Sequence, residues 1–400
     1  MKILQVHNHY RFRGGEDNMF EHICAILREN GHEVETFERR SDSVEGLAGK
    51  LLAVGSSIYS ARAKRDFASL LDRFQPELVH IHNVFPLISP SILTACAARE
   101  IPVVMRCPNY RLICPTGLHL RNGKACNLCA GGREYMCALT NCRANLFESA
   151  AMGLRGMLVR MHGLFQEHVG VFIPPSEAVK QRLVASGIPA SRIMVVPNTV
   201  SIPEVACDPA AGEHVAFAGR LSEEKGVETL LAAATLLPDI PFAIAGTGAL
   251  QRTLQPLAPA NVQFVGQLDR AGLDAFYARA RLCVVPSVWH EAFGLVAAEA
   301  SAMGLPVVAS RMGALPEIVD EGETGLLFAS GDGNDLADKL KELWASPDRC
   351  REMGKAGRDK VRREYAHDVY YGRLMGVYER ALGRKLSAEG SSTRAKAITL

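Results

Sequence analysis

The chain has 400 residues, of which 48% are hydrophobic and 22% charged, with a formal net charge of +2. That length favours two domains, the apolar content suffices for two cores, and the weak net charge lacks the basic footprint of a nucleic-acid binder. No stretch approaches the roughly 20 apolar residues of a membrane span, and Met1-Lys2 leads into an apolar segment too short and polar for a signal peptide, so a cytoplasmic location is expected.

In chain order, apolar runs alternate with helical patterns in the βαβ rhythm of parallel sheets. Strands are predicted at 2–7, 32–37, 78–82, 103–106, 171–174 and 194–197, then at 214–219, 241–246, 262–266, 282–286, 306–310 and 325–328. Helices are predicted from Asp17 to Asn30, Asn145 to Val169, Val227 to Leu237, Leu295 to Met303 and Tyr365 to Leu382. The Pro- and Gly-bearing stretch from Ser201 to Gly212 reads as a linker, which sets the expected domains at 1–205 and 206–365. A Cys-rich insertion at about 108–145 interrupts the first, and a tail over 387–400 reads as disordered.

The strongest functional signal is Glu291 and Glu299, eight residues apart in the run HEAFGLVAAEA. The run joins a predicted strand to a predicted helix, a junction that turns backbone N–H groups and the positive end of a helix dipole toward an anion. On one helix the two would be roughly 12 Å apart. A retaining hydrolase holds its two carboxyls about 5–5.5 Å apart. The longer spacing suits an extended ligand with phosphates in its middle, such as a nucleotide sugar. The plainer alternative is a solvated helix glutamate and an ordinary loop residue.

A second element, Phe217-Ala218-Gly219-Arg220-Leu221-Ser222-Glu223-Glu224-Lys225-Gly226, places Arg220 and Lys225 after a strand, where open α/β sheets bind ligands. Arg forks onto phosphate oxygens and Lys supplies a mobile point charge, so the pair can neutralise a pyrophosphate without a metal. Read alone, they are two solvated loop cations. Gly14-Gly15 before a helix likewise lets backbone approach a ligand, or simply makes a tight turn capped by Asp17.

Taken together, Gly219-Arg220 with Lys225-Gly226, Glu291 and Glu299 with Gly294-Leu295, Arg13-Gly14-Gly15-Glu16-Asp17, Leu78 to Asn83 and Val195 to Thr199 resemble a family 4 retaining glycosyltransferase over roughly residues 1–380. The resemblance implies the α/β GT-B fold, two Rossmann-like domains with parallel sheets facing across a cleft, and a helix at about 366–386 that crosses back to the first domain. It implies a nucleoside-diphosphate sugar as donor, with Glu299 on the ribose and Glu291 on the sugar hydroxyls. Arg220 and Lys225 would steady the departing pyrophosphate, and Gly14, Gly15, Gly219, Phe293, Gly294 and Leu295 would line the donor. Front-side attack by a glycan or lipid-linked hydroxyl follows from the same resemblance, with retention and no catalytic metal. A catalytically silent scaffold of a polysaccharide-assembly complex is the alternative.

On the acceptor side, His82 ranks ahead of His7 and His80, because Asn83 and Pro86 indicate that the chain leaves the sheet there. The family pattern His-Asn-Tyr-Arg stands here as Pro108-Asn109-Tyr110-Arg111, so Asn109 is a candidate while the histidine's contribution is missing. Of 11 cysteines, Cys126, Cys129, Cys137 and Cys142 have a spacing compatible with structural zinc or with free thiols in an insertion on the acceptor side. Arg143, Arg155 and Arg160, among Leu and Met residues, read either as core packing or as a peripheral contact with the inner face of the cytoplasmic membrane.

Overall fold

The computed structural model describes residues 1–9, 14–40 and 57–383, so Arg13 and the tail from Ser387 lie outside the described residues. The chain divides into two compact units: Met1–Arg106 with Gly163–Ile173 and the residues from Tyr371 onward, and Cys107–His162 with Pro174–Tyr370. Residues 107–162 and 174–205, expected with the first domain, group with the second.

The first unit holds strands β1 (Lys2–His9), β2 (Glu33–Arg40), β3 (Leu78–Asn83), β4 (Val103–Arg106) and β7 (Val171–Ile173) in the all-parallel order β2-β1-β3-β4-β7. Order reverses between β1 and β3, so the carboxyl ends of those strands flank a topological switch point. β3 is buried along its whole length despite two histidines. One ring nitrogen of each histidine is bonded, with Tyr378 OH 2.8 Å from His80 Nδ1 and Gln5 Oε1 2.7 Å from His82 Nε2, while His80 Nε2 and His82 Nδ1 are buried without a partner among the described residues.

The insertion contributes the two-residue strands β5 (Leu120–Arg121) and β6 (Lys124–Ala125), paired antiparallel, and the one-turn helix Met136–Leu139. The main sheet of the second unit comprises β8 (His214–Ala218), β9 (Phe242–Ala245), β10 (Val262–Gly266), β11 (Ala280–Val285), β12 (Val307–Ser310) and β13 (Gly325–Phe328). Its order, β10-β9-β8-β11-β12-β13, is parallel throughout and has the doubly wound arrangement of a dinucleotide-binding sheet. Alternation of side chains feeds two cores. Val215, Phe217, Phe242, Ile244, Leu282 and Val284 pack on one face. Ala216, Ala243, Cys283 and Val285 pack on the other, against Ala297, Ala298 and Ala300 of the helix Leu295–Met303. Small residues on that helix let it approach the sheet closely.

Two predicted elements differ. Residues 194–197 form no ladder: Val196 N–H donates to Pro174 O at 3.0 Å. The next residue, Pro197, has no N–H with which to continue. The helix expected over 145–169 stops at Gly163, whose φ of 63° is left-handed, giving Leu146–His162 and Leu164–His168.

Candidate functional site

β8 and β11 are neighbours at the switch point of the second sheet, so the loops that follow them leave the sheet side by side. The first loop carries Arg220 and Lys225, the second Glu291. Lys225 Nζ donates to Glu291 Oε1 at 2.6 Å, and Ser287 Oγ donates to the same oxygen at 2.7 Å. Val288 N–H also donates to Glu224 O at 3.0 Å, so backbone and side chains both tie the loops together. The Lys225 ammonium stands 5.6 Å from the centre of the Trp289 ring.

Glu291 is only 6% exposed. Burial pushes its carboxyl up, but the Lys225 charge and the bonds from Lys225 and Ser287 outweigh that and hold it below the ordinary value of 4.5. A depressed carboxylate adds stability above its unfolded pKa, and that stability is lost as pH falls through the folded pKa. Glu291→Gln is therefore expected to be less stable than wild type at pH 7. The gap should narrow progressively below the ordinary glutamate value of 4.5. Urea midpoints of both proteins across the acid range measure this; a gap independent of pH would contradict it.

The other predicted residues of this unit fall around the pair. Arg220 reaches outward, with its side chain 71% exposed and its guanidinium 4.0 Å from Glu224. Gly294 caps the helix Leu295–Met303 in the left-handed region, φ 98°, where a β-carbon would press on Leu315 at 2.8 Å. The unpaired N–H groups of that first turn, beginning at Leu295, face the loop. Gly219 leaves β8 with its N–H bonded to Ala245 O at 3.0 Å. Phe293 is core rather than surface, edge-on to Tyr365 at 5.3 Å. Glu299 lies one helix over from Arg270, 3.5 Å away; burial raises its carboxyl and Arg270 opposes the rise.

The Cys-rich segment, expected on the acceptor side, packs onto these loops. A β-carbon on Gly123, at the tip of the β5–β6 ribbon, would lie 3.4 Å from Glu223 Oε1. Tyr110 stands edge-on to Trp289 at 6.4 Å and to His119 at 4.9 Å. Arg182, on the helix Glu177–Ala185, donates to His290 Nε2 at 2.7 Å and to Asn127 Oδ1 at 2.8 Å. That helix is itself fixed by Ser176 Oγ on Ala292 O at 2.7 Å and by the Glu317 carboxylate on the N–H groups of Glu177 and Ala178. Asn109 turns back on its own loop, its Oδ1 accepting from Arg111 N–H at 2.9 Å.

Gly14, Gly15 and His82 belong to the first unit. Gly14 N–H donates to Asp17 Oδ2 at 3.0 Å, and Gly15 opens the helix Gly15–Glu29. The other oxygen of Asp17 faces His7 Nε2 at 2.8 Å and His9 Nδ1 at 3.0 Å. Among the described residues, His7, His9 and Asp17 are the group bringing three potential metal-ligand atoms within 4.8 Å; Cys126, Cys129, Cys137 and Cys142 are not such a group. His82 is enclosed, 3% exposed, stacked on His80 at 4.3 Å and held neutral by burial and by the charges of His80 and Arg106.

Sequence reading missed Ser287, Trp289, Arg182, His290 and Glu317. Apart from Ser287, whose partner Glu291 is four residues on, each acts through a partner distant in the chain, and only His290, adjoining Glu291, lay inside a recognised motif.

Comparison with known proteins bears on the family and the fold. The family model described as Glycosyl transferases group 1 matches residues 209–360, and that described as Glycosyl transferase 4-like domain matches residues 14–199. Phosphatidyl-myo-inositol mannosyltransferase of Mycobacterium leprae is 32% identical over 231 residues, 52% of this chain and 62% of that protein. The chain thus spans less than two thirds of the length of the curated relatives it matches. Sucrose-phosphate synthase of Thermosynechococcus elongatus superposes with a TM-score of 0.72 at 21% identity, covering 96% of this chain and 99% of that one. Anabaena HepE, solved with UDP and glucose, gives 0.65 at 16% identity, covering 95% and 100%. At such identities the structural likeness concerns the fold.

Proposed function

This chain belongs to the group 1 glycosyltransferases, with the α/β GT-B fold, and from that premise we propose that it moves a hexose-type sugar from a nucleoside-diphosphate sugar to a hydroxyl of a glycan or lipid-linked acceptor, with retention. The observation that carries this reading is the buried Lys225–Glu291 pair, 2.6 Å long, at the switch point of a dinucleotide-type sheet. Glu291 accepts from the sugar hydroxyls and orients the anomeric carbon. Arg220, free to swing, forks onto the pyrophosphate. Lys225 and the N–H groups after Gly294 add charge and donors where the leaving group becomes more negative. These groups supply that positive potential without a catalytic metal. Glu299 accepts from the ribose hydroxyls. The UDP in the Anabaena neighbour supports a uridine nucleotide as one donor to try.

The test is a thermal-shift panel of UDP-glucose, GDP-mannose and ADP-glucose on wild type and Arg220→Ala. A ligand that binds only the native state raises its midpoint with concentration. One nucleotide sugar is expected to stabilise wild type and to lose most of that effect in the variant. No shift with any of them would move the scaffold reading ahead, since Pro108 already removes one side chain expected of an active enzyme.

Structural zinc on the Cys-rich segment is part of the proposal. Burial, then neighbouring thiols, pushes the Cys129 and Cys137 thiols up to about 12; Cys114 and Cys142 are among the neighbours of both, and Cys126 of Cys129. Cys114 therefore competes with Cys126 for the fourth position, and since the thiols do not stand as one close group, a zinc ion would have to draw them together into a purely structural site. Metal analysis of the purified protein is expected to give one zinc per chain.

Lipid contact is proposed through the helix Leu146–His162, where Phe147, Leu154 and Met161 are exposed at heptad spacing. Its arginines are used differently: Arg160 pairs with Glu134 at 2.7 Å and Arg155 donates to Pro115 O at 2.9 Å. Among the described residues no helix is long and apolar enough to cross a membrane.

A further inference from the structure

A guanidinium carries five N–H donors and no acceptor. The 2.7 Å contact from Arg182 Nη2 therefore requires a lone pair on His290 Nε2, which makes the imidazole neutral and places its proton on Nδ1. The environment agrees: burial, then the charges of Arg182 and His119, bring the His290 pKa down to about 4. Arg182 is itself held in place, with Nη1 on Asn127 Oδ1 at 2.8 Å and its head 5.6 Å from the Tyr110 ring centre. Asn127 Oδ1 also lies 3.1 Å from His119 Nδ1, and that nitrogen lies 2.9 Å from Cys126 O. A chain of hydrogen bonds thus runs from the Cys-rich segment to the residue beside Glu291. The charged groups acting on His290 are Arg182 from its helix and His119 from the Cys-rich segment; Glu291 adjoins it along its own loop, and Lys225 reaches Glu291 from the loop after β8.

His290 Nδ1–H has no hydrogen-bond partner among the described residues, and the next residue in the chain, Glu291, is an ionised carboxylate that accepts. A neutral donor beside an acceptor matches a vicinal diol, in which each hydroxyl both gives and takes a hydrogen bond. It matches a phosphate poorly, because it adds no charge. We propose that His290 contacts the donor sugar, its Nδ1–H donating to a ring hydroxyl, and that Arg182 is the positioning residue that fixes this tautomer. The proposal rests on the nucleotide-sugar reading given above and deepens it: the sugar is recognised jointly by Glu291 and His290, and the Cys-rich segment governs that recognition through Arg182.

The test compares calorimetric binding of UDP with UDP-glucose, and of GDP with GDP-mannose, to wild type, His290→Ala, His290→Asn and Arg182→Ala. A lost neutral hydrogen bond corresponds to a weakening of about 3- to 10-fold. His290→Ala is expected to weaken the nucleotide sugar by that factor and to leave the nucleoside diphosphate within about two-fold, which also shows that the variant is folded. His290→Asn, with an amide N–H near the Nδ1 position, should recover part of the loss. In histidine-labelled NMR spectra, His290 should show the Nδ1–H tautomer and stay neutral at pH 6; Arg182→Ala should raise its pKa from about 4 toward the ordinary 6.5. Equal weakening of nucleotide and nucleotide sugar, or a charged or Nε2–H imidazole in wild type, would overturn the proposal alone. Wild type binding none of the four ligands would overturn the donor reading and this proposal with it.

Discussion

Lys225→Ala is expected to be the most damaging single substitution at the site, because it strands a buried carboxylate. Glu291 has an 8% exposed side chain and receives its short bonds from Lys225 and Ser287. Breaking a buried ion pair by removing one partner costs about 3–5 kcal/mol. Lys225 is 22% exposed, so water can partly replace it, and the lower end, about 3 kcal/mol, is the expected loss. The function should fall further than the stability, since on the donor reading proposed above the same ammonium would face the departing pyrophosphate; a drop of about 100- to 1,000-fold in turnover is the scale for removing one such donor. Adding Glu291→Gln to Lys225→Ala should restore part of the stability without restoring turnover, because the uncompensated charge is gone while the donor contact is not rebuilt. Urea denaturation of the two single variants and the double variant reads the first effect, and nucleotide release reads the second. Equal stability of Lys225→Ala and wild type would mean that the pair contributes nothing to holding the loops together.

Gly226→Ala is expected to rank second, for reasons of backbone rather than charge. Gly226 has φ 68°, and a β-carbon there would collide with the Pro286 carbonyl oxygen at the end of β11. The left-handed conformation costs an alanine about 1–2 kcal/mol. Forcing extra volume into a packed contact adds about 1–3 kcal/mol. The collision would push the Lys225 loop away from the Glu291 loop, so the variant should lose turnover as well as about 3 kcal/mol of stability. Gly14→Ala makes a useful contrast. Gly14 has φ −139°, an ordinary extended value, and a β-carbon would meet nothing within 4 Å. That change should leave stability within about 0.5 kcal/mol. Circular dichroism melts of the two variants separate a steric requirement from mere membership of a glycine motif.

Much of the fold could be read from local pattern. The strands Val103–Arg106, Val262–Gly266 and Gly325–Phe328 and the helix Leu295–Met303 fall on the predicted boundaries, because each is an apolar run closed by Gly or Pro or by a change of period. Residues 194–197 carry the same apolar signal but lack a partner strand, and pairing is a property of the whole sheet. Gly163 ends its helix in the left-handed conformation, whereas Gly153 and Gly156 lie within the same helix, so composition alone does not single out the stop. At the site, Lys225 and Glu291 were each legible from their own motif, whereas their contact across a sequence separation of 66 required the strand order that sets β8 beside β11. Arg182 was not legible at all. It sits on an ordinary amphipathic helix, and only the packing of the Cys-rich segment gives it a role. His82 shows the converse: its place at a strand end looked open, yet the sheet and Gln5 enclose it.

The most direct measurement follows nucleoside diphosphate release from UDP-glucose, GDP-mannose and ADP-glucose by wild type and by Glu291→Gln, with the anomeric configuration of the liberated or transferred sugar read by NMR. Wild type should turn over one of the three donors and keep its anomeric configuration. Glu291→Gln should still bind the nucleotide but turn the donor over about 100-fold more slowly. Turnover unchanged by Glu291→Gln, or inversion at the anomeric carbon, would contradict a retaining transfer centred on the Lys225–Glu291 pair.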